Sequence, residues 1–258
     1  MQTGSMPQSI WSREWNLKYM DISKDVNYGV DMSVLSGAEI VQVPDSMGEW
    51  THQFQEAMMM YNCAIREVKT RLEVLNDELS VRNKRNPIEL IKSRVKRPIS
   101  IIEKLQRRGY PISLSSMMEN LDDVAGVRVI CPFVDDIYDV ADMLMRQDDI
   151  LVVNIKDYIR FPKDNGYRSF HMIVEAPVFF SEKMRYMRVE IQIRTMAMDF
   201  WASLDHELKY KKEIPDGEAI SKELKDCADL IAGTDEKMLA IRKRIERQSG
   251  FERGRIPR

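Results

Sequence analysis

Arg188-Val189-Glu190-Ile191-Gln192-Ile193-Arg194 alternates apolar and polar residues without a break. Side chains of a strand alternate with a period of two, so Val189, Ile191 and Ile193 share one face and Arg188, Glu190, Gln192 and Arg194 the other. The stretch 185–194 reads as a strand with its apolar face on a core. Its polar face is either hydrated or the floor of a cleft. Just upstream, 168–176 reads as a partner strand, with a hairpin around Pro177 to Lys183. Val124–Cys131 and 150–156 are two further apolar strands. Between them, 134–146 sets Ile137, Val140, Ala141 and Leu144 on one side of a helix.

Helical periodicity dominates on both sides of this block. Trp50, Phe54, Met58, Tyr61, Ile65, Val68, Leu72, Leu75 and Leu79 recur every three or four residues, which predicts one long helix. Asn86-Pro87 breaks the chain. A short helix follows, with Pro98 in its first turn and Gly109 at its end. Helices resume at 196–211 and 218–248. Residues 1–45 lack a pattern and read as a loosely packed extension that Trp11, Trp15 and Leu17 could dock; 249–258 reads as a frayed tail. The expected order is helix, helix, β-α-β-β-β, helix, helix. That is an α+β fold: a small mixed sheet flanked by helices, in one domain over 46–248.

Bulk chemistry narrows the function. The net charge of −2 gives no basic bulk for nucleic acid, so any phosphate-binding surface is local. Three widely spaced cysteines, Cys63, Cys131 and Cys227, suggest a reducing compartment, and no apolar run is long enough to span a bilayer. A cytoplasmic protein is expected. The three histidines form no His-Asp dyad, and Tyr210 stands where a zinc site beginning at His206-Glu207 would need its second histidine. Histidine-based metallohydrolase chemistry is thereby excluded.

Four groups could carry chemistry. Lys92, Arg94, Lys96 and Arg97, followed by Lys104, Arg107 and Arg108, suit a polyphosphate or a solvated helix face. Asp122-Asp123 at the edge of a strand could offer oxygens to Mg²⁺ or simply form a turn. Glu190 lies on the polar face already described. If Asp123 and Glu190 met in one cleft, a divalent cation would relieve their repulsion. Lys163-Asp164-Asn165-Gly166-Tyr167-Arg168-Ser169-Phe170-His171 joins an Asn-Gly turn to an aromatic ring able to lie on a base, with Lys163, Arg168 and His171 available to phosphates. The plain alternative is a hairpin turn with a half-exposed tyrosine.

In chain order these segments resemble one family. They are Asn86-Pro87-Ile88-Glu89, Ser93-Arg94-Val95-Lys96, Ser100 to Leu105, Asp123 to Cys131, Lys156-Asp157-Tyr158-Ile159, Pro162 to His171, Val189 to Thr195, and Met198-Asp199-Phe200-Trp201-Ala202. The family is the RelA/SpoT-type synthetase domain, and in particular the single-domain small alarmone synthetases of the RelP kind. The resemblance implies a nucleotidyltransferase-like fold that makes (p)ppGpp from ATP and GDP or GTP. It implies Asp123 and Glu190 as Mg²⁺ ligands and Glu190 as general base. Arg94, Lys96, Lys104 and Arg128 become ATP-side cations. Tyr167 becomes the ring that stacks on guanine, with Lys163, Asn165, Arg168, His171, Gln192 and Asp199 around the acceptor. It also implies a homotetramer built through the terminal helices, synthesis without a hydrolase domain, and RNA or an alarmone as the class of effector. Phe170 departs conservatively from the family's leucine, and Asp205 stands where relatives often carry glutamate. Two other readings share the fold: a toxin that pyrophosphorylates the 3′ end of tRNA, and a non-catalytic nucleotide- or RNA-binding regulator.

Overall fold

The computed structural model describes residues 46–83, 85–209 and 217–248. The chain divides into two compact units, Met1–Trp50 and Thr51–Arg258. Only the residues that open the first helix are described in the first unit. The expected N-terminal extension and C-terminal tail lie outside the described residues.

The elements run α1 (Ser46–Asn83), β1 (Leu90–Val95), α2 (Pro98–Arg107), α3 (Leu114–Asn120), β2 (Ala125–Cys131), α4 (Val134–Met145), β3 (Leu151–Asp157), β4 (Phe170–Phe179), β5 (Met184–Thr195), α5 (Met196–Lys209) and α6 (Gly217–Gln248). Five strands form one sheet in the order β1-β2-β5-β4-β3. Only β2 and β5 are parallel; the other neighbours are antiparallel. The α+β expectation is met: a mixed sheet, flanked by helices, with a long helix before it and another after it.

Two elements were absent from the expected order. β1 escaped because Leu90-Ile91-Lys92-Ser93-Arg94-Val95 is mostly exposed and carries its information as charge rather than as alternation. α3 is seven residues long, and its start is marked only by Ser113, whose hydroxyl accepts from the amide of Ser116. The hairpin is also tighter than expected. Pro177 lies inside β4, opposite Tyr186, and the turn closes where the Phe180 amide donates to the Lys183 carbonyl at 3.2 Å.

One face of the sheet is apolar and buried. Val127 and Val129 of β2, Met172 and Val174 of β4, and Val189, Ile191 and Ile193 of β5 lie in one core with Ile137, Val140, Ala141 and Leu144 of α4. Phe54, Ala57, Met58, Tyr61, Ala64, Ile65, Val68 and Leu72 of α1 join the same core, at the three-four spacing read from the sequence. A fully buried aliphatic side chain of this kind contributes about 1.5–3 kcal/mol.

α6 is fastened near its C-terminal end. Arg242 bonds Asp135 and lies 4.6 Å over the Phe133 ring, while the fully buried Asp136 accepts from Arg85. Both aspartates occupy the first turn of α4, where the helix dipole favours negative charge. None of the described helices is long and apolar enough to cross a membrane.

Candidate active site

The opposite face of the sheet carries a polar row across its whole width. Strand register sets Lys92, Arg128, Gln192, His171 and Lys156 in one row through all five strands. The adjacent row holds Arg94, Gly126, Glu190, Ile173 and Asn154. Gly126 has only the Arg94 carbonyl, at 3.8 Å, near the place of a side chain, so the floor beside Glu190 stays low. A cleft opens here between the sheet and α2. It is lined by Lys104, Arg108, Asp123, Asn154, His171 and Glu190, among others.

A bulge completes this floor. Val152 of β3 pairs with Val174 on the apolar face, but Asn154 pairs with Ile173 because the register shifts between them. One extra residue turns every later side chain to the opposite face. Asn154 and Lys156 reach the cleft only for that reason.

Asp123 sits just before β2. Lys104 Nζ lies 2.7 Å from one of its oxygens and Lys96 Nζ 2.9 Å from the other. Burial would raise this carboxyl, but the two ammonium groups outweigh it and hold it below the usual range. Glu190 behaves alike. Burial raises it, yet His171 Nδ1 at 3.3 Å and the Gln192 amide, donating at 2.9 Å, bring it below its ordinary value. Asp123 also pushes Glu190 upward through its charge, so the two carboxylates sense each other across the cleft. Burial, with the charges of Arg194 and Lys163, lowers the His171 imidazole below its ordinary value against the pull of Glu190.

The aromatic side of the site is packed edge to face. Tyr158 lies 5.1 Å from the His171 ring and 5.9 Å from Tyr167. Lys163 Nζ stands 4.7 Å from the Tyr158 ring centre and 4.8 Å from that of Tyr167. The Lys163 carbonyl accepts from the Gly166 amide at 2.8 Å, and Gly166 takes a φ of +85° that an L side chain rarely adopts. Behind this turn stands α6, whose Ala228 Cβ would lie 2.6 Å from any Cβ at position 166.

Residues 93–215 match the region found in RelA / SpoT proteins. GTP pyrophosphokinase YwaC of Bacillus subtilis is 41% identical over 217 residues, covering 84% of this chain and all of that protein. The chain belongs to the RelA/SpoT family, among its small alarmone synthetases. The crystal structure of small alarmone synthetase 2 from Bacillus subtilis overlays with a TM-score of 0.67 at 42% identity, covering 74% of this chain and 99% of that one. Small alarmone synthetase 1 from the same organism, bound to its product pppGpp, gives 0.69 at 36% identity, covering 76% and 99%.

Within this small alarmone synthetase fold the expected residues divide. Asp123, Glu190, Lys96, Lys104, His171, Gln192 and Tyr167 are connected to one another by side-chain bonds or line the cleft. Arg128, expected on the ATP side, and Asp199, expected on the acceptor side, instead form one ion pair at 3.0 Å, joined by Arg194 at 3.3 Å and Lys92 at 3.6 Å. Arg94 is exposed at the far end of the Glu190 row.

Arg168 is not brought into the cleft. Its guanidinium donates to the Ala228 carbonyl at 3.1 Å and to Asp229 at 3.2 Å, so it ties the Tyr167 loop to α6. The Asn165 side chain accepts from the Tyr167 amide at 3.2 Å and thus shapes the turn. Asp122 pairs with Arg188 at 3.0 Å. Of the basic helix face, Lys104 and Arg108 line the cleft, and Arg107 is not among the lining residues.

Sequence reasoning passed over Arg194, Asn154, Lys156 and Tyr158 as site residues. Arg194 was legible, because it shares the alternating face of Glu190 and Gln192. Tyr158 lay inside a matching segment. Lys156 lay in that same segment, but its place in the cleft, like that of Asn154, depends on the bulge, which leaves no mark in the sequence.

Proposed function

We propose that this protein transfers the β,γ-pyrophosphate of ATP to the 3′-hydroxyl of GDP or GTP, making (p)ppGpp. The observation that carries the reading is the pair of ionised carboxylates, Asp123 and Glu190, on a cation-lined floor beside an aromatic loop. Glu190 serves as general base. Its two hydrogen-bond donors fix its orientation while leaving lone pairs for the proton of the attacking hydroxyl. Lys96, Lys104, Arg108 and Arg94 are the cations for the triphosphate, which carries charge that must be balanced as it is positioned for in-line attack. Tyr167, with Lys163 and Gln192, receives the acceptor base and phosphates. Arg168 and Asn165 serve the acceptor by holding the loop that carries Tyr167.

The donor set suits Mg²⁺. The described residues hold no cluster of three or more Asp, Glu, His or Cys side chains able to bind a metal. Two carboxylates are what Mg²⁺ asks of a protein when substrate phosphates and water complete its octahedron. Asp123 and Glu190 would hold it, and it would neutralise charge on the transferred group and polarise the 3′-hydroxyl.

Incubation with γ-labelled ATP, Mg²⁺ and either GDP, GTP or tRNA tests the reading. Label is expected on the guanosine nucleotide. Label confined to tRNA, or nucleotide binding without any product, would favour the toxin or the regulator instead.

The same reading includes a cytoplasmic homotetramer joined through α1 and α6. Leu230, Met238, Ile241 and Ile245 leave apolar surface exposed along α6, as do Val74 and Val81 on α1. Cys63, Cys131 and Cys227 are unpaired, as a reducing compartment requires. Light scattering at micromolar concentration should report four chains; a monomer would exclude the assembly.

A further inference from the structure

Arg194 is 4% exposed, yet it lies on the polar face of β5 with its guanidinium inside the site. It donates to the phenol oxygen of Tyr167 and, at 2.8 Å, to Oε1 of Gln192. It also reaches Asp199 at 3.3 Å and Ser169 Oγ at 3.3 Å, and lies 5.1 Å over the Tyr167 ring. The Tyr167 hydroxyl is 2.8 Å from Nε2 of His171, and Nδ1 of His171 is 3.3 Å from Oε1 of Glu190. The Gln192 amide donates to Oε2 of Glu190 at 2.9 Å. These bonds close on themselves. Two arms leave Arg194, one through Tyr167 and His171 and one through Gln192, and both end on Glu190.

The direction of the bonds in this ring follows from two facts: a guanidinium only donates and an ionised carboxylate only accepts. The Gln192 carboxamide must therefore turn its oxygen to Arg194, which leaves its NH₂ for the carboxylate. The Tyr167 oxygen accepts from Arg194 and keeps its own proton to donate to Nε2 of His171, the arrangement that the Glu190 carboxylate, which can only accept from Nδ1, requires of a neutral imidazole. With Nε2 accepting, the imidazole proton sits on Nδ1 and is donated to Glu190. The carboxylate at the other end receives one donor on each oxygen.

We propose that Arg194 is the positioning residue of the acceptor half-site. It fixes the rotamer of Tyr167, the amide orientation of Gln192 and the tautomer of His171, and through them the aim of Glu190. It acts through these residues and not on the reacting atoms. The proposal rests on the reading of Tyr167 and Gln192 as acceptor ligands and of Glu190 as base. Its consequence is that acceptor binding and the aim of the base are set together by one side chain, while the triphosphate side, held by Lys96 and Lys104, is independent of it.

Two measurements on the full chain test this. The first is a long-range ¹H–¹⁵N spectrum of the imidazole rings without nucleotide. The chain has three histidines, and His171→Asn identifies the relevant one. The wild type should show His171 protonated on Nδ1, and Arg194→Met should lose that single tautomer. A wild-type ring protonated on Nε2 alone overturns the proposal. The second is steady-state kinetics. Arg194→Met should lower kcat/KM for the acceptor about 10- to 100-fold, with KM for ATP changed by less than about threefold. If Arg194→Met only lowers the folded fraction, leaving tautomer and kinetic split as in wild type, Arg194 is structural and the proposal fails. Should that variant not fold, Tyr167→Phe cuts the same ring from the loop side, and an unchanged His171 tautomer there counts equally against it. A wild type that transfers no pyrophosphate to any acceptor would sink the enzymatic reading, while the tautomer still reports on the ring.

Discussion

Glu190 is held by a donor on each oxygen, so an isosteric amide keeps the shape but removes the charge and turns its NH₂ toward one of those donors. Glu190→Gln should lower kcat by at least about 10²-fold, the low end of a general-base contribution, and raise the Mg²⁺ concentration needed for the half-maximal rate. Label transfer measured at saturating nucleotide checks this; a loss confined to KM would remove Glu190 from the chemistry. Gly166 is the second decisive single residue. Its positive φ and the 2.6 Å approach that a Cβ would make to Ala228 leave no room for a side chain. Gly166→Ala should displace the Tyr167 loop and raise the acceptor KM several-fold while the ATP KM stays in place, which a two-substrate initial-rate matrix would show. Equal rises in both would point to general damage.

Among the elements, α1 is the clearest case of a pattern that survives folding intact. Its three-four apolar spacing becomes a buried stripe, and Leu72 is wholly inaccessible within it. Leu72→Ala removes buried methyl groups from a packed core and should cost about 2–5 kcal/mol. Urea melts should show a lower midpoint with an unchanged slope; a cost under about 0.5 kcal/mol would mean that α1 is not part of the cooperative core. β5 is equally legible, because strict alternation allows only one division of its faces. β1 and β3 are not. β1 lies at the edge of the sheet and owes its place to pairing with β2, whose Ala125 to Ile130 lie far onward in sequence from their partners Val95 to Leu90. β3 changes face part-way along, and its apolar residues Leu151, Val152, Val153 and Ile155 remain exposed, so hydrophobicity alone misreports its burial.

For the whole molecule, three site groups pull stability in the same direction with pH. Burial lowers His171 from its ordinary 6.5. Lys104 and Lys96 overcome burial to lower Asp123 from 3.8, and His171 with Gln192 does the same for Glu190 from 4.5. Each folded value lies below its unfolded one, so the unfolded chain binds more protons between them and stability rises as pH rises and is lost as pH falls. The His171 contribution is complete above its unfolded value of 6.5 and declines below it. Those of Glu190 and Asp123 are complete above 4.5 and 3.8 and decline below. Asp235 runs the other way. Burial beside Thr195 raises it from 3.8, so its contribution is present in acid and lost as pH rises through the raised value. Thermal melts from pH 8 to pH 4 should show the midpoint falling from below about pH 6.5 and then more steeply toward pH 4. A midpoint that rises between pH 7 and pH 5 would contradict this assignment of charge.

The sequence by itself determined what depends on neighbours along the chain. It set the periodicity of α1, the alternation of β5, the Asn-Gly turn before Tyr167, and the ordered segments that named Asp123 and Glu190. Only the tertiary structure decided which of the polar groups meet. The bulge in β3 turned Asn154 and Lys156 into the cleft, the approach of α6 drew Arg168 out of it, and the parallel pairing of β2 with β5 brought Asp199, in the first turn of α5, to Arg128. Arg194 shows the division within one residue. Its face was readable from alternation, but its role as the donor that orients Tyr167, Gln192 and, through them, Glu190 exists only once β4 and β5 pair. Local patterns are fixed by backbone geometry a few residues long, whereas hydrogen-bond direction and register are settled by partners that the chain brings together from far apart.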